Sequence, residues 1–344
     1  MWGSQGNRKF RHWTTLCYFT WAANGDRFGR PKITFAKAQQ DFKVVLAISM
    51  DHLELGLFCK SFADDFDRFK NLIDSIDRYN TEKLPFFVSV PESDLELFKP
   101  RVSQSSYANL LTDEDLLTQS NALGESRPKD YSGSLLQQII KVSFGMIRNV
   151  SRYVVIDSDS FFIRPFGKKD FLNEDGTPVT IMHKCEDLLG FCEAKGMHFV
   201  HTNYKNERIK LQGIFGRTGE IYDFGPTPVV WGSEVWQMLK EDYLDKNNVC
   251  LAALILKYPS ELLVYGEALL EYKPFPIRPK EPLFKVFHYK EQFEALEEED
   301  KSEATLGKNY LGIVLQSNWN KNAEQLSLTK RLRQFLKKMI ILIK

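Results

Sequence analysis

The sequence predicts an α/β fold: a Rossmann-type mixed sheet with helices on both faces, plus an amphipathic helix at the C-terminus. Three observations lead there. Strand and helix patterns alternate from residue 53 onward. One segment, Arg152-Tyr-Val-Val-Ile156, is short and almost wholly apolar, as the buried centre of a parallel sheet requires. Two carboxylates, Asp157 and Asp159, follow it directly.

Taken in order, Leu53–Cys59 reads as a strand that runs into a loop at Lys60-Ser61. Phe66, Phe69, Ile73 and Ile76 then recur every three or four residues among charged ones, so 64–79 is an amphipathic helix. Pro85–Val90 is a second strand, and Ser93-Asp-Leu-Glu96 a capping box that opens a short helix. The polar stretch 100–131 reads as a loop with a short acidic helix. Over 132–149, Leu135, Leu136, Ile139, Ile140, Phe144 and Ile147 make one helical face, and Gln137, Gln138 and Lys141 lie together on another. Further strands are expected at 179–183, 228–231, 283–288 and 310–315, with helices near 233–240, 248–257 and 261–272. A domain spanning 51–320 is expected, with a basic extension before it (1–50) and a basic helix after it (321–344). The start is Rossmann-like, but Gly-x-Gly-x-x-Gly is absent, so a dinucleotide fingerprint is not supported.

Composition excludes several classes. The 46 Lys+Arg against 45 Asp+Glu give no global argument for nucleic acid. The five cysteines are scattered without a CxxC pair, which suits a reducing cytoplasm better than a disulfide scaffold or zinc knuckle. Cys185 and Cys192 near His183 are a faint metal pattern that buried or loop thiols explain as well. No apolar run reaches the roughly 18 residues of a membrane span. The segment Trp13–Ala23 has a basic lead, but three threonines interrupt it, so it is not read as a signal peptide.

The chemistry lies in the carboxylate pair. In open α/β sheets ligands bind outside the carboxyl ends of the strands. Residues i and i+2 of an extended chain point to one side. Two such oxygen donors suit a hard divalent cation, Mg²⁺ or Mn²⁺. An ordinary polar turn fits less well, because the acids abut an apolar strand and Phe161-Phe162 resumes at once.

Val154-Val-Ile-Asp-Ser-Asp-Ser-Phe-Phe162 resembles the Asp-x-Asp motif of GT-A glycosyltransferases. With Gln137–Lys141, Pro226-Thr-Pro228 and Ser260-Glu261, it resembles a bacterial branch associated with surface-polysaccharide synthesis. The resemblance covers roughly 53–317. It implies a metal-dependent enzyme that moves a sugar from a nucleotide-sugar donor to a saccharide or lipid-linked acceptor. Asp157 and Asp159 would hold the metal and diphosphate, with His288 as a late third ligand; a strand-end histidine bonded to backbone is the competing reading, and His183 and His201 are weaker rivals. Lys60, Gln138, Lys141, Asp157 and Ser158 would face the donor. Thr227, Pro228 and Trp231 would shape the acceptor side, although Trp231 and Trp236 could equally be core. Glu261 and Glu234, each after a serine at a helix start, are the candidates for catalytic base, against simple helix-dipole stabilisation.

Two other classes share these features. A haloacid-dehalogenase-like phosphatase also carries Asp-x-Asp after a hydrophobic strand, usually early in its chain. A non-catalytic, membrane-associated sugar-binding protein would keep the fold and lose the chemistry. The end of the chain bears on location. Over 326–344, Leu328, Leu332, Phe335, Leu336, Met339 and Ile343 share a helical face and six Lys/Arg occur without an acid. That pattern fits a helix lying on an anionic membrane surface, which would place the protein peripherally on the inner face.

Overall fold

The computed structural model describes residues 53–147, 150–184, scattered positions from 186 to 196, and then 198–287 and 303–315. The chain divides into two units, Met1–Asp51 and His52–Lys344. The expected extension at 1–50 and the basic helix at 321–344 lie outside the described residues, as does His288.

The central sheet has five strands: β1 (Leu53–Lys60), β2 (Phe86–Val90), β3 (Ala108–Thr112), β4 (Val150–Val155) and β7 (Val229–Gly232). Their order is β3-β2-β1-β4-β7. The first four run parallel and β7 pairs antiparallel with β4, so the sheet is mixed but mostly parallel. β1 and β4 are the central strands, and their last residues are fully buried. Parallel strands demand crossovers, and helices α1 (Phe66–Tyr79), α2 (Leu95–Val102) and α3 (Asp113–Ser120) alternate with the first three strands.

Helix α4 (Gly133–Met146) crosses back to β4. Ser132 caps it by accepting a hydrogen bond from Leu135 N at 3.4 Å, and Ile139, Ile140 and Phe144 form its buried stripe. The helix lies close on β4 because of Gly145. A Cβ there would stand 2.5 Å from the Tyr153 hydroxyl and 2.7 Å from Trp236. A second sheet, β5-β10-β9, is built from β5 (Ser160–Phe162), β9 (Phe284–Phe287) and β10 (Gly312–Leu315). It is tied to α1 where Ser75 Oγ accepts from Phe162 N at 3.0 Å. A short parallel pair joins β6 (Thr180–Ile181) to β8 (Pro279–Lys280). The longer helices that follow are α5 (His198–Ile214), α6 (Ser233–Leu239), α7 (Leu251–Lys257) and α8 (Glu261–Tyr272). Among the described residues no helix is long and apolar enough to cross a membrane.

Two expectations are corrected and one helix is added. The stretch 100–131 contains β3, whose Ala-Asn-Leu-Leu-Thr is half-buried throughout. An edge strand needs little apolar character, so it left no clear pattern. The Ser93 capping box does not form: Ser93 Oγ bonds the Asp94 carboxylate, and α2 begins at Leu95. Helix α5 was not expected, because its exposed Phe199 and Ile209 break the apolar stripe.

Candidate donor site at the switch point

The strand order reverses at β1. The chain steps outward through β2 and β3, then returns to the other side of β1 with β4. At such a reversal the two crossovers leave in opposite directions and open a crevice at the strands' carboxyl ends. Phe58 pairs with Val155, so Lys60 and Asp157 each lie two residues beyond the same rung. Sequence and topology thus deliver a cation and an anion to one crevice.

The acids do not continue as a strand. Ser160 N donates to Asp157 O at 3.1 Å, so 157–160 is a turn that carries the chain from the central sheet into β5. Leu315 N donates to Asp159 O at 2.9 Å and pins that turn to β10. The expected extended geometry of Asp157 and Asp159 is therefore corrected. What relates them is a turn between two sheets.

Asp157 is bonded on both oxygens. Lys141 Nζ lies 2.6 Å and Gln137 Nε2 3.4 Å from Oδ1, while Thr227 Oγ1 donates to Oδ2 at 2.6 Å. Gln137 and Lys141 are one helical turn apart on α4 and so face the same spot. Lys141 is only 4% exposed and also lies 3.1 Å from Glu261 Oε1. Glu261 is the first residue of α8, which Ser260 caps, and its N–H donates to Gln138 Oε1 at 3.2 Å. Burial pushes the Asp157 carboxyl up, but the charge and hydrogen bond of Lys141, with Thr227 and Gln137, outweigh it and hold it below the ordinary value. Burial would likewise push Lys141 down, yet Asp157 and Glu261 raise it, so the ammonium stays charged. Behind them the Cys59 thiol is pushed well up, first by burial and then by Asp157, which makes it inert.

The structure thus gathers Lys60, Gln138, Lys141, Asp157, Ser158, Thr227 and Glu261 at one edge. Several are already engaged by neighbouring side chains. Lys60 Nζ is held 2.9 Å from Asp113 Oδ2, and Ser89 donates to the same carboxylate at 2.6 Å. Ser158 Oγ donates to Asp65 Oδ2 at 3.4 Å. Glu261, the expected base, is 7% exposed and bonded to Lys141. Thr227 is bonded to Asp157, and Pro228 is buried immediately before β7.

Two expected residues are not brought there. Trp231 is 1% exposed and packs on Tyr153, Trp236 and Tyr265 at 5.1–5.7 Å between ring centres, so it is core. Glu234 sits at the other end of β4. Gly232 pairs with Arg152, and Arg152 Nη1 lies 2.5 Å from Glu234 Oε1. Arg152 and Asp157 are five steps apart along this mostly extended chain, about 16 Å. His183, a rival ligand, donates from Nε2 to Gly225 O at 2.7 Å. The side chains of His201, Cys185 and Cys192 are outside the described residues.

The loop that presents Thr227 is itself braced, by residues the sequence did not single out. Arg208 Nη2 lies 2.5 Å from Asp223 Oδ2, and Asp223 Oδ1 accepts from Gly225 N at 3.0 Å. Arg208 also donates to Tyr222 O and Tyr204 O and lies 3.3 Å above the Tyr204 ring. The Gly225–Pro226 and Thr227–Pro228 peptide bonds are both cis. Only the paired prolines marked this loop in sequence.

Asp157 and Asp159 offer the oxygen chemistry a hard divalent cation takes, and both are half-buried at the crevice, so the donors fit. Among the described residues, no group of three or more His, Cys, Asp or Glu side chains is arranged to hold a metal.

Residues 42–274 match the family described as "Family of unknown function (DUF6492)". The chain belongs to this family. The gathered residues, from Lys60 to Glu261, all fall within the matched span, and His288 falls beyond it. No curated protein matches the sequence. Among solved structures the chain is similar to apo mouse xyloside xylosyltransferase 1, at 12% identity and a TM-score of 0.43, over 77% of this chain and 98% of that one. It is also similar to the apo WbbM bifunctional glycosyltransferase, at 12% identity and a TM-score of 0.47, over 78% of this chain and 47% of that one.

Proposed function

We propose that this family member is a glycosyltransferase that uses a nucleotide-sugar donor and a divalent cation, Mn²⁺ or Mg²⁺. One observation carries the reading: the Asp-x-Asp acids end a central strand at the sheet's switch point, with Lys141 and Thr227 bonded to Asp157. Asp159 and Asp157 would hold the cation, and the expected third ligand is His288. When bound, the metal would act as a Lewis acid on the leaving diphosphate. The charge balance supports this assignment. Lys60 is held by Asp113 and Lys141 by two carboxylates, so neither brings a spare charge to a diphosphate. Asp65, Ser158 and Gln137 line the same edge as further polar groups. The acceptor, saccharide or lipid-linked, would approach beside the Thr227 loop, with the basic segment 326–344 resting on an anionic membrane.

Thermal shift against UDP-, GDP- and CMP-sugars, with and without Mn²⁺ or Mg²⁺, tests the reading. One donor at a hundredfold excess over its Kd should stabilise the protein by about 2.7 kcal/mol, and only with metal present. Asp157→Ala and Asp159→Ala should abolish the shift. If no sugar nucleotide stabilises the protein under any of these conditions, the proposal is wrong.

A further inference from the structure

We propose that Lys141 is a built-in stand-in for the metal: it occupies Asp157 in the metal-free protein and passes to Glu261 when a divalent cation binds. This rests on the metal-dependent reading above. The geometry is that of a shared cation, with Nζ 2.6 Å from Asp157 Oδ1 and 3.1 Å from Glu261 Oε1. A lysine ammonium on a flexible stem can shift between two such anions without rebuilding the helix that carries it. It cannot retreat to water, because it is 4% exposed.

Without a cation, half-buried Asp157 and buried Glu261 would be two adjoining carboxylates, an unfavourable arrangement. Lys141 removes that repulsion and keeps Asp157 ionised and aimed. A divalent ion on Asp157 reverses the balance. It would stand within a few ångströms of the ammonium, and like charges at that separation in a half-buried site repel strongly. Glu261 is the anion already in contact, and Gln138 holds its backbone in place. The lysine therefore sets the metal affinity, and Glu261 sets how readily it yields.

Mn²⁺ alone, without donor, is the probe, its binding to the full chain read by the electron-paramagnetic signal of free Mn²⁺ and by calorimetry. Lys141→Met and Lys141→Gln should bind Mn²⁺ at least tenfold more tightly than the natural protein, while Lys141→Arg should stay within about threefold. Glu261→Gln, which deprives Lys141 of its second anion, should bind at least threefold more weakly. Lys141→Arg and Glu261→Gln conserve charge or size, so they remain informative if the other variants fail to fold. Unchanged or weaker binding in Lys141→Met and Lys141→Gln overturns the proposal, as does a Glu261→Gln protein with natural affinity. Asp159→Asn separates the failures. If it abolishes Mn²⁺ binding while the Lys141 variants change nothing, only this inference falls. If no variant takes up Mn²⁺, the metal reading falls with it.

Discussion

Thr227 Oγ1 donates to Asp157 Oδ2 over 2.6 Å and so joins the loop before β7 to the end of β4. The two residues are 70 apart in sequence. The antiparallel register that pairs Val229 with Val155 brings them side by side. Thr227→Val keeps the shape and removes the donor. A hydrogen bond to a charged group contributes about 1.5–3 kcal/mol. Chemical unfolding should show a loss of that order, and metal-dependent sugar-nucleotide binding should weaken tenfold or more. Thr227→Ser should restore both.

Asp223 is expected to matter at a distance. Its carboxylate neutralises Arg208, which is 6% exposed, and accepts from Gly225 N. Asp223→Ala would leave a buried guanidinium without its carboxylate partner, at a cost of about 3–5 kcal/mol. Urea unfolding should show a drop of that size, and a variant within 0.5 kcal/mol of the natural protein, roughly the range of ordinary surface substitutions, would refute the brace. Asp223→Asn, which can still accept from Gly225, should lose less and should keep more sugar-nucleotide binding.

Glu267 predicts a pH dependence away from the site. It is 1% exposed beside Arg217 at 2.7 Å, and burial, opposed by that arginine, raises its pKa above 4.5. A raised folded-state value means the folded protein binds the proton more tightly than the unfolded chain does. Its contribution is therefore full below about 4.5 and is lost as pH rises through the folded value. Between pH 7 and pH 4.5 the natural protein should gain stability from this group, and Glu267→Gln should lack that gain. Melting temperatures of the two proteins across this range decide the matter. Parallel curves would contradict it.

The basic segment 326–344 predicts membrane association. Each Lys or Arg near an anionic surface contributes about 1 kcal/mol, and salt screens it. Flotation with phosphatidylserine vesicles should carry the full chain upward at low salt and much less at 0.5 M. A chain ending at Gln325 should stay behind in both. Equal flotation of the two would remove the anchor.

Much of the fold could be read from residue order. The α8 helix begins at Glu261 and ends at Tyr272 as its pattern predicts, because Ser260 is a strong cap and its apolar residues recur at helical spacing. β3 leaves no clear pattern in the sequence, because an edge strand does not need an apolar face. Glu234 and Glu261 look alike in sequence, each an acid after a serine at a helix start. One lies beside Arg152 at the far end of β4 and the other beside Lys141 at the switch point.

By itself the sequence determined that strands alternate with helices, that an apolar strand ends in two acids, and that Gln137, Gln138 and Lys141 share a helix face. These are local facts, set by periodicity and by covalent neighbours. Only the tertiary structure decided which carboxylate meets which donor: Lys60 with Asp113, Lys141 with Asp157 and Glu261, and the Thr227 hydroxyl with Asp157. Strand order and register make those pairings, and neither is written in any one segment. They depend on which elements bury their apolar faces together, a property of the whole chain.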